Sequence, residues 1–202
     1  MPTAREAMAA AAAELAKNPE LARRLADRQA QRMQFAQQQA EESRELLNDL
    51  AAVGFPVRSV WDLAGHRDDH PAAVPVLLKH LGVRYSGEIR EGIGRALGGP
   101  SARPHFAFLV EQFIQTDDDH LRRGLSVAIA RLALQKDFPQ VEALIRNRAY
   151  GKERGFLVAS VRRCRLAEAE RLLSELLDDP DIGPLAKTSL EKRLRRKRKA
   201  GR

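Results

Sequence analysis

The sequence predicts an all-α protein assembled from stacked helix pairs, and three observations carry that expectation. Ala and Leu abound while aromatic residues make up only 5% of the 202 residues, a composition biased toward helix. Apolar positions recur three and four residues apart, which is the inward stripe of a helix and not the alternation of a strand. A longer period is superimposed on that spacing. It consists of a small or β-branched residue, a large apolar one, two variable positions, then Ala.

Copies of this pattern run Val60–Ala64, Gly92–Ala96, Gly124–Ala128 and Gly155–Ala159, separated by 32, 32 and 31 residues. The same steps superpose Val74, Phe106, Phe138 and Ala169. They also superpose Leu77, Leu109, Val141 and Leu172, then Leu81, Phe113, Ile145 and Leu176. All twelve are apolar at helical spacing, so each unit is expected to be a first helix carrying the small-large-Ala pattern and a second helix carrying the stripe. A helix pair cannot bury its apolar face alone, so neighbouring pairs must stack.

Taken in order, the elements begin with Asn18-Pro19-Glu20, an N-cap followed by a first-turn proline and an acid. The helix it opens should run to Val53, about 50 Å at 1.5 Å per residue. Its seam is Ala22, Leu25, Gln29, Met33, Ala36, Ala40, Ser43, Leu47 and Leu50. Residues 1–53 are read as an N-terminal helical cap, with Ala4 to Lys17 beside it; homodimerisation through the seam is the alternative. Four repeats follow at 54–82, 83–116, 117–149 and 150–182. Gly82 stops one helix, Gly98-Gly99-Pro100 separates two, Asp117 to Asp119 supply capping side chains, and Asp179-Pro180-Asp181 closes the fourth repeat. Gly92, Gly124 and Gly155 lie inside helices at a cost of about 1 kcal/mol each relative to Ala, which points to close helix–helix approach; Gly94 adds a second glycine. Residues 183–202 form a last helix from about Leu185 to Lys197, with Leu185, Leu190 and Leu194 on a thin apolar side. From Arg195 onward it should fray.

The segment Glu88 to Gly98 (EIREGIGRALG) resembles the first helix of a HEAT repeat, and His70 to Leu81 (HPAAVPVLLKHL) resembles a HEAT second helix with a proline in its first turn. The resemblance covers residues 54 to 180. It implies a short right-handed α-solenoid of about four HEAT-like helix pairs, capped at both ends, and a role in gripping another macromolecule.

The net charge of +8 suggests nucleic acid until it is located. Nine of the 35 basic residues and one of the 27 acidic ones fall in residues 187–202, so the remainder balances at 26 of each sign. The basic excess is a C-terminal tail. No apolar run approaches the roughly 18 residues of a membrane span, and the opening from Met8 to Ala13 lacks the features of a secretory signal. Cys164, the single cysteine, excludes an internal disulfide and fits a reducing cytoplasm as a small buried residue.

Enzymatic signatures are missing. His66, Asp68, Asp69 and His70 crowd one loop but match no zinc spacing and serve equally as capping residues, so no metal or cofactor is expected. Some HEAT-like proteins are DNA glycosylases that use an acid with aromatic and basic neighbours, and Trp61-Asp62 offers such a pair. Trp61 holds the slot of Ile93, Leu125 and Phe156, however, which assigns it to the core. The expected function is a non-enzymatic scaffold that binds a protein. Its ridge comprises Arg84, Tyr85, Arg90, Arg95, Arg122, Arg123, Tyr150, Lys152 and Arg154, types that concentrate binding energy against an acidic protein surface. Pairing of these arginines with helical neighbours such as Glu88, Glu91 and Glu153 is the competing reading. The alternative function is nonspecific nucleic-acid binding through Arg193, Arg195, Arg196, Lys197, Arg198 and Lys199. Base excision is a distant third.

Overall fold

The computed structural model describes Thr3, residues 18–65 and residues 69–200. Every regular element among them is helical. The chain divides into two compact units, Met1–Glu42 and Ser43–Arg202. The first contains α1 (Pro19–Glu42), capped as the sequence predicts by Asn18, whose Oδ1 accepts from the Leu21 amide at 3.0 Å. Leu21, Leu25, Met33 and Phe35 are exposed along it. The expected single helix to Val53 is interrupted at Ser43, and a separate α2 (Arg44–Ala52) follows. The interruption shifts the buried phase to Leu46 and Leu50, so Leu47 drops out of the seam.

In the second unit, a single turn of 3-10 helix (Val60–Leu63) leads to α3 (Ala73–Leu81) and α4 (Gly87–Ala96). A 3-10 segment (Pro100–His105) opens α5 (Phe106–Gln115), and α6 (Asp119–Leu132) follows. Next come a short turn (Gln135–Asp137), α7 (Phe138–Arg146), a 3-10 segment (Arg148–Leu157) and α8 (Val158–Arg163). The unit ends with α9 (Ala167–Glu175) and α10 (Gly183–Ala200). One continuous core runs from Leu46 to Ala186. All twelve residues superposed by the sequence steps are in it, none more than 6% exposed. The four residues of each aligned set sit in or beside α3, α5, α7 and α9, so the period seen in the sequence is a period of burial.

The small-large-Ala pattern does not build four equal helices. Its first copy is the single turn at Val60, held by a capping box between Ser59 and Asp62. Its last copy starts in the 3-10 segment, which breaks at Gly151 (φ 53°, ψ −143°) before α8 begins. The middle copies form α4 and α6, which pack side by side. There a Cβ on Gly94 would lie 2.8–2.9 Å from the backbone of Gly124 and Leu125, and a Cβ on Gly124 would overlap the Glu91 carbonyl. Both glycines are therefore required by the approach, and Gly94 belongs to the same contact. Gly92 leaves room for Val60 and Trp61, and Gly155 for Leu185 and Ile182.

Arginines then bind successive helices by their open C-terminal carbonyls, groups a helix cannot satisfy internally. Arg131 of α6 donates to the Arg95 carbonyl of α4 at 3.4 Å and to Ala64 and Gly65 at 3.3 Å. Arg163, 32 residues on, donates to the Ala130 carbonyl of α6.

Gly124→Ala should therefore cost about 2–3 kcal/mol, the scale of overpacking a close-packed contact. Gly82→Ala, with nothing within 4 Å of the added Cβ and an ordinary backbone, should be neutral or slightly stabilising. Urea denaturation of both variants checks the pair; equal stabilities would contradict the packing described.

Candidate functional site

The ridge expected from sequence is used largely inside the fold. Arg90 donates to Asp118 at 2.7 Å across 28 residues, from α4 to the cap of α6. Asp118 also accepts from the Leu121 amide; burial raises its carboxyl, but that amide and Arg90 outweigh it and hold the group below the usual carboxylate range. Arg122 binds Asp119 and the Thr116 carbonyl, with its guanidinium over Tyr150. Tyr150 in turn meets Phe113 edge-on. Arg123 forms two bonds to Glu153 at 2.9 and 3.0 Å and one to Glu91 at 3.3 Å. Arg95 donates to Glu91 at 2.8 Å. The hydroxyl of Tyr85 lies 2.6 Å from Nδ1 of buried His80. Arg84 and Lys152 remain exposed.

Arg154 must be withdrawn from the binding set, because its side chain has no exposed surface. It donates to the Gly151 and Ile145 carbonyls and to both oxygens of Asp179 at 2.8 and 2.9 Å. It thereby pins the break at Gly151 to the loop before α10. Burial alone would raise the Asp179 carboxyl, but Arg154 and the Ile182 and Asp181 amides lower it below its ordinary value.

Beside these ion pairs lies an open groove of about 760 Å³. Gly155, Phe156, Val158 and Ala159 of the fourth pattern line it, with Leu185, Thr188 and Ser189 of α10 opposite. Its three acids are already engaged, Glu91 and Glu153 by Arg95 and Arg123, and Asp181 by Arg154 at 3.2 Å. Lys152, Arg162 and Lys192, also in its lining, have no carboxylate partner among the described residues. The groove therefore presents cations.

That character strengthens toward the C-terminal end of α8. A second cavity of about 400 Å³ is lined by Arg162, Lys192, Arg195 and Arg196. A third, of about 190 Å³, gathers Arg162, Arg163, Arg165, Arg193, Arg196 and Lys197 around Cys164. Burial first, then the neighbouring Arg162 guanidinium, pushes Arg163 below its ordinary value. α10 carries most of this charge and stays helical to Ala200, so the fraying expected from Arg195 is not found. Leu185 is half exposed, and the buried side of α10 is Ala186 and Arg193 with partly covered Leu190. Arg193 also leaves the list of binding residues: it is buried and donates to the Cys164 and Leu166 carbonyls, anchoring α10 to α8 and α9. Lys197 pairs with Glu170. Arg195, Arg196 and Arg198 remain exposed, while Lys199 lies in the helix with no side chain described.

The sequence signal that finds this site is the run Arg162-Arg163-Cys164-Arg165, which tail-centred counting passes over. Trp61 is a correction of another kind. It is 39% exposed and Phe156 is 38% exposed, whereas Ile93 and Leu125 in the equivalent slots are buried. The loop cluster weighed against zinc spacings and set aside falls partly outside the described residues, at His66 and Asp68. Its Asp69 accepts from the Ser101 amide and hydroxyl, and His70 meets Phe55 edge-on. Glu45, Asp49 and His80 also converge, but the Lys79 ammonium sits 2.7 Å from Asp49 and 3.6 Å from Glu45, where a cation would go. No helix among the described residues is long and apolar enough to cross a membrane. Comparison with protein-family models, curated proteins and solved structures returned no match.

Arg154→Ala strands a buried carboxylate and should cost about 3–5 kcal/mol at neutral pH. The folded Asp179 carboxyl is depressed, so its stabilisation is full above the ordinary carboxylate range and is lost as pH falls through the lowered value. Removing Arg154 takes away the largest lowering influence and leaves the Ile182 and Asp181 amides against burial. The stability gap between parent and variant, followed by urea midpoints at neutral and acid pH, should therefore narrow as pH drops.

Proposed function

We propose that this chain is a non-enzymatic, HEAT-like helical scaffold whose cationic groove holds a polyanion, the phosphodiester backbone of nucleic acid. Residues 54–182 would form a short right-handed solenoid of four helix pairs, with burial of the twelve aligned residues and one continuous core in support. The observation that carries the functional reading is the convergence of Arg162, Lys192, Arg195 and Arg196 on one cavity that no carboxylate among the described residues lines. Like charges so arranged repel, and each pair costs on the order of 1 kcal/mol or more at a few ångströms near a protein surface. An anion that bridges them recovers that cost.

A backbone of phosphates fits better than a single small anion because the charge is extended. Lys187, Lys192, Arg195 and Arg198 lie along one helix, and eleven residues of helix span roughly 16 Å, several phosphate spacings. An acidic protein docked on the arginine ridge is the less favoured reading, because Arg90, Arg95, Arg122, Arg123 and Arg154 are paired within the fold and leave Arg84 and Lys152 as the ridge's exposed cations.

Anisotropy titrations with a labelled 20-nucleotide oligomer test this reading. Binding should be present at low salt, and log Kd should change with log salt by about 0.7–0.9 per phosphate contacted, hence roughly 3 for four cations. The triple variant Arg162→Glu, Lys192→Glu, Arg196→Glu should weaken binding at least 10-fold. Absence of binding at 50 mM salt, or capture of polyglutamate in preference to the oligomer, overturns the proposal; the latter favours an acidic protein.

A further inference from the structure

Trp61 and Phe156 come from the two ends of the repeated pattern, yet they meet around one side chain. The Arg95 guanidinium lies 5.6 Å from the Trp61 ring centre and 5.4 Å from that of Phe156. Arg95 is held in place by Glu91 at 2.8 Å. Trp61 is fixed too. Its turn is closed by the Ser59–Asp62 capping box, and the missing side chain of Gly92 makes room beside its indole. Phe156 and Arg95 both line the large groove, whose lining also includes Arg162 of α8 and Lys192 of α10. An aromatic–cation–aromatic cluster, with Trp61 and Phe156 each more than one-third exposed, thus adjoins the cationic strip through Arg95 and Phe156.

A large ring left in water beside a fixed guanidinium is poised for a flat π-face. Aromatic side chains combined with a positive groove hold unpaired bases by stacking while cations follow the backbone, and every base has a face to offer. A duplex buries those faces between neighbouring base pairs and shows only its edges and phosphates. We infer that the nucleic acid held here is single-stranded, with bases stacked on Trp61 and Phe156 and phosphates tracking toward Arg162, Lys192 and Arg196. The inference rests on the polyanion reading and adds the strandedness and the base contacts to it.

Trp61 is the only tryptophan of the chain, so its emission reports this contact without any substitution. The full-length protein is titrated with a 20-nucleotide oligothymidylate and, separately, with a 20-base-pair duplex at the same low salt. The expected result is saturable quenching by the single strand, with little quenching by the duplex. Phe156→Ala and Trp61→Ala should each weaken single-strand binding at least about 5-fold, measured by anisotropy, and leave duplex binding within about 2-fold of the parent. Both rings are partly exposed, so circular dichroism should show the fold intact. Single-strand binding with unchanged emission, or unchanged affinity in both variants, overturns the stacking inference while the polyanion reading stands. Failure of both nucleic acids to bind overturns both.

Discussion

The backbone approach of α4 to α6 at Gly94 and Gly124 is the constraint from which the rest of the second unit follows. With no Cβ on either residue, the two helices meet closely enough that Arg123 reaches Glu91 on one side and Glu153 on the other. That ladder joins three consecutive copies of the repeated pattern and neutralises two of the three acids lining the groove. Any side chain at Gly124 pushes against the Glu91 carbonyl itself, so the packing contact and the electrostatic one depend on the same few atoms. Arg131 and Arg163 extend the arrangement by satisfying carbonyls at the ends of α4 and α6.

Which arginines remain available to a partner is decided by this internal use. Arg90, Arg123 and Arg154 are each bonded to carboxylates 25 to 32 residues away, at separations where burial makes the pairs worth more than exposed ones. Truncating Arg154 would leave Asp179 charged in a dry environment, so that residue acts as a tie for the Gly151 break and the α10 loop. Arg193 and Lys197 share Glu170, whereas the Arg162, Lys192, Arg195 and Arg196 cations have no such carboxylate among the described residues. Their charge is uncompensated by the fold, and solvent ions or a polyanion must supply the balance.

Much of the fold was legible because periodic burial leaves a periodic sequence. The twelve aligned residues from Val74 to Leu176 are buried as read, Asn18 caps the helix it was expected to cap, and Gly124 marks a close approach. What was not legible depends on where the period ends. Trp61 shares its slot with Ile93 and Leu125, but its copy of the pattern is one turn long and packs against α4, and the residue stays 39% exposed. Phe156 lies in the segment broken at Gly151, with the same result. Ser43 interrupts the N-terminal helix and turns Leu46 inward in place of Leu47, a one-residue change that spacing alone does not reveal. The candidate site was half visible. The tail charges were counted, but their junction with Arg162 and Arg163 is a tertiary contact, and ion pairs spanning about 30 residues follow the stacking of helices rather than any i,i+4 rule.

Ultraviolet cross-linking of a single strand carrying bromodeoxyuridine, followed by peptide mass spectrometry, tests the central claim most directly. Cross-links should fall on Trp61, Phe156 and the Arg162-to-Arg196 surface, and competition with unlabelled strand should remove them. Cross-links confined to α1, or spread evenly over exposed lysines, would contradict a built groove.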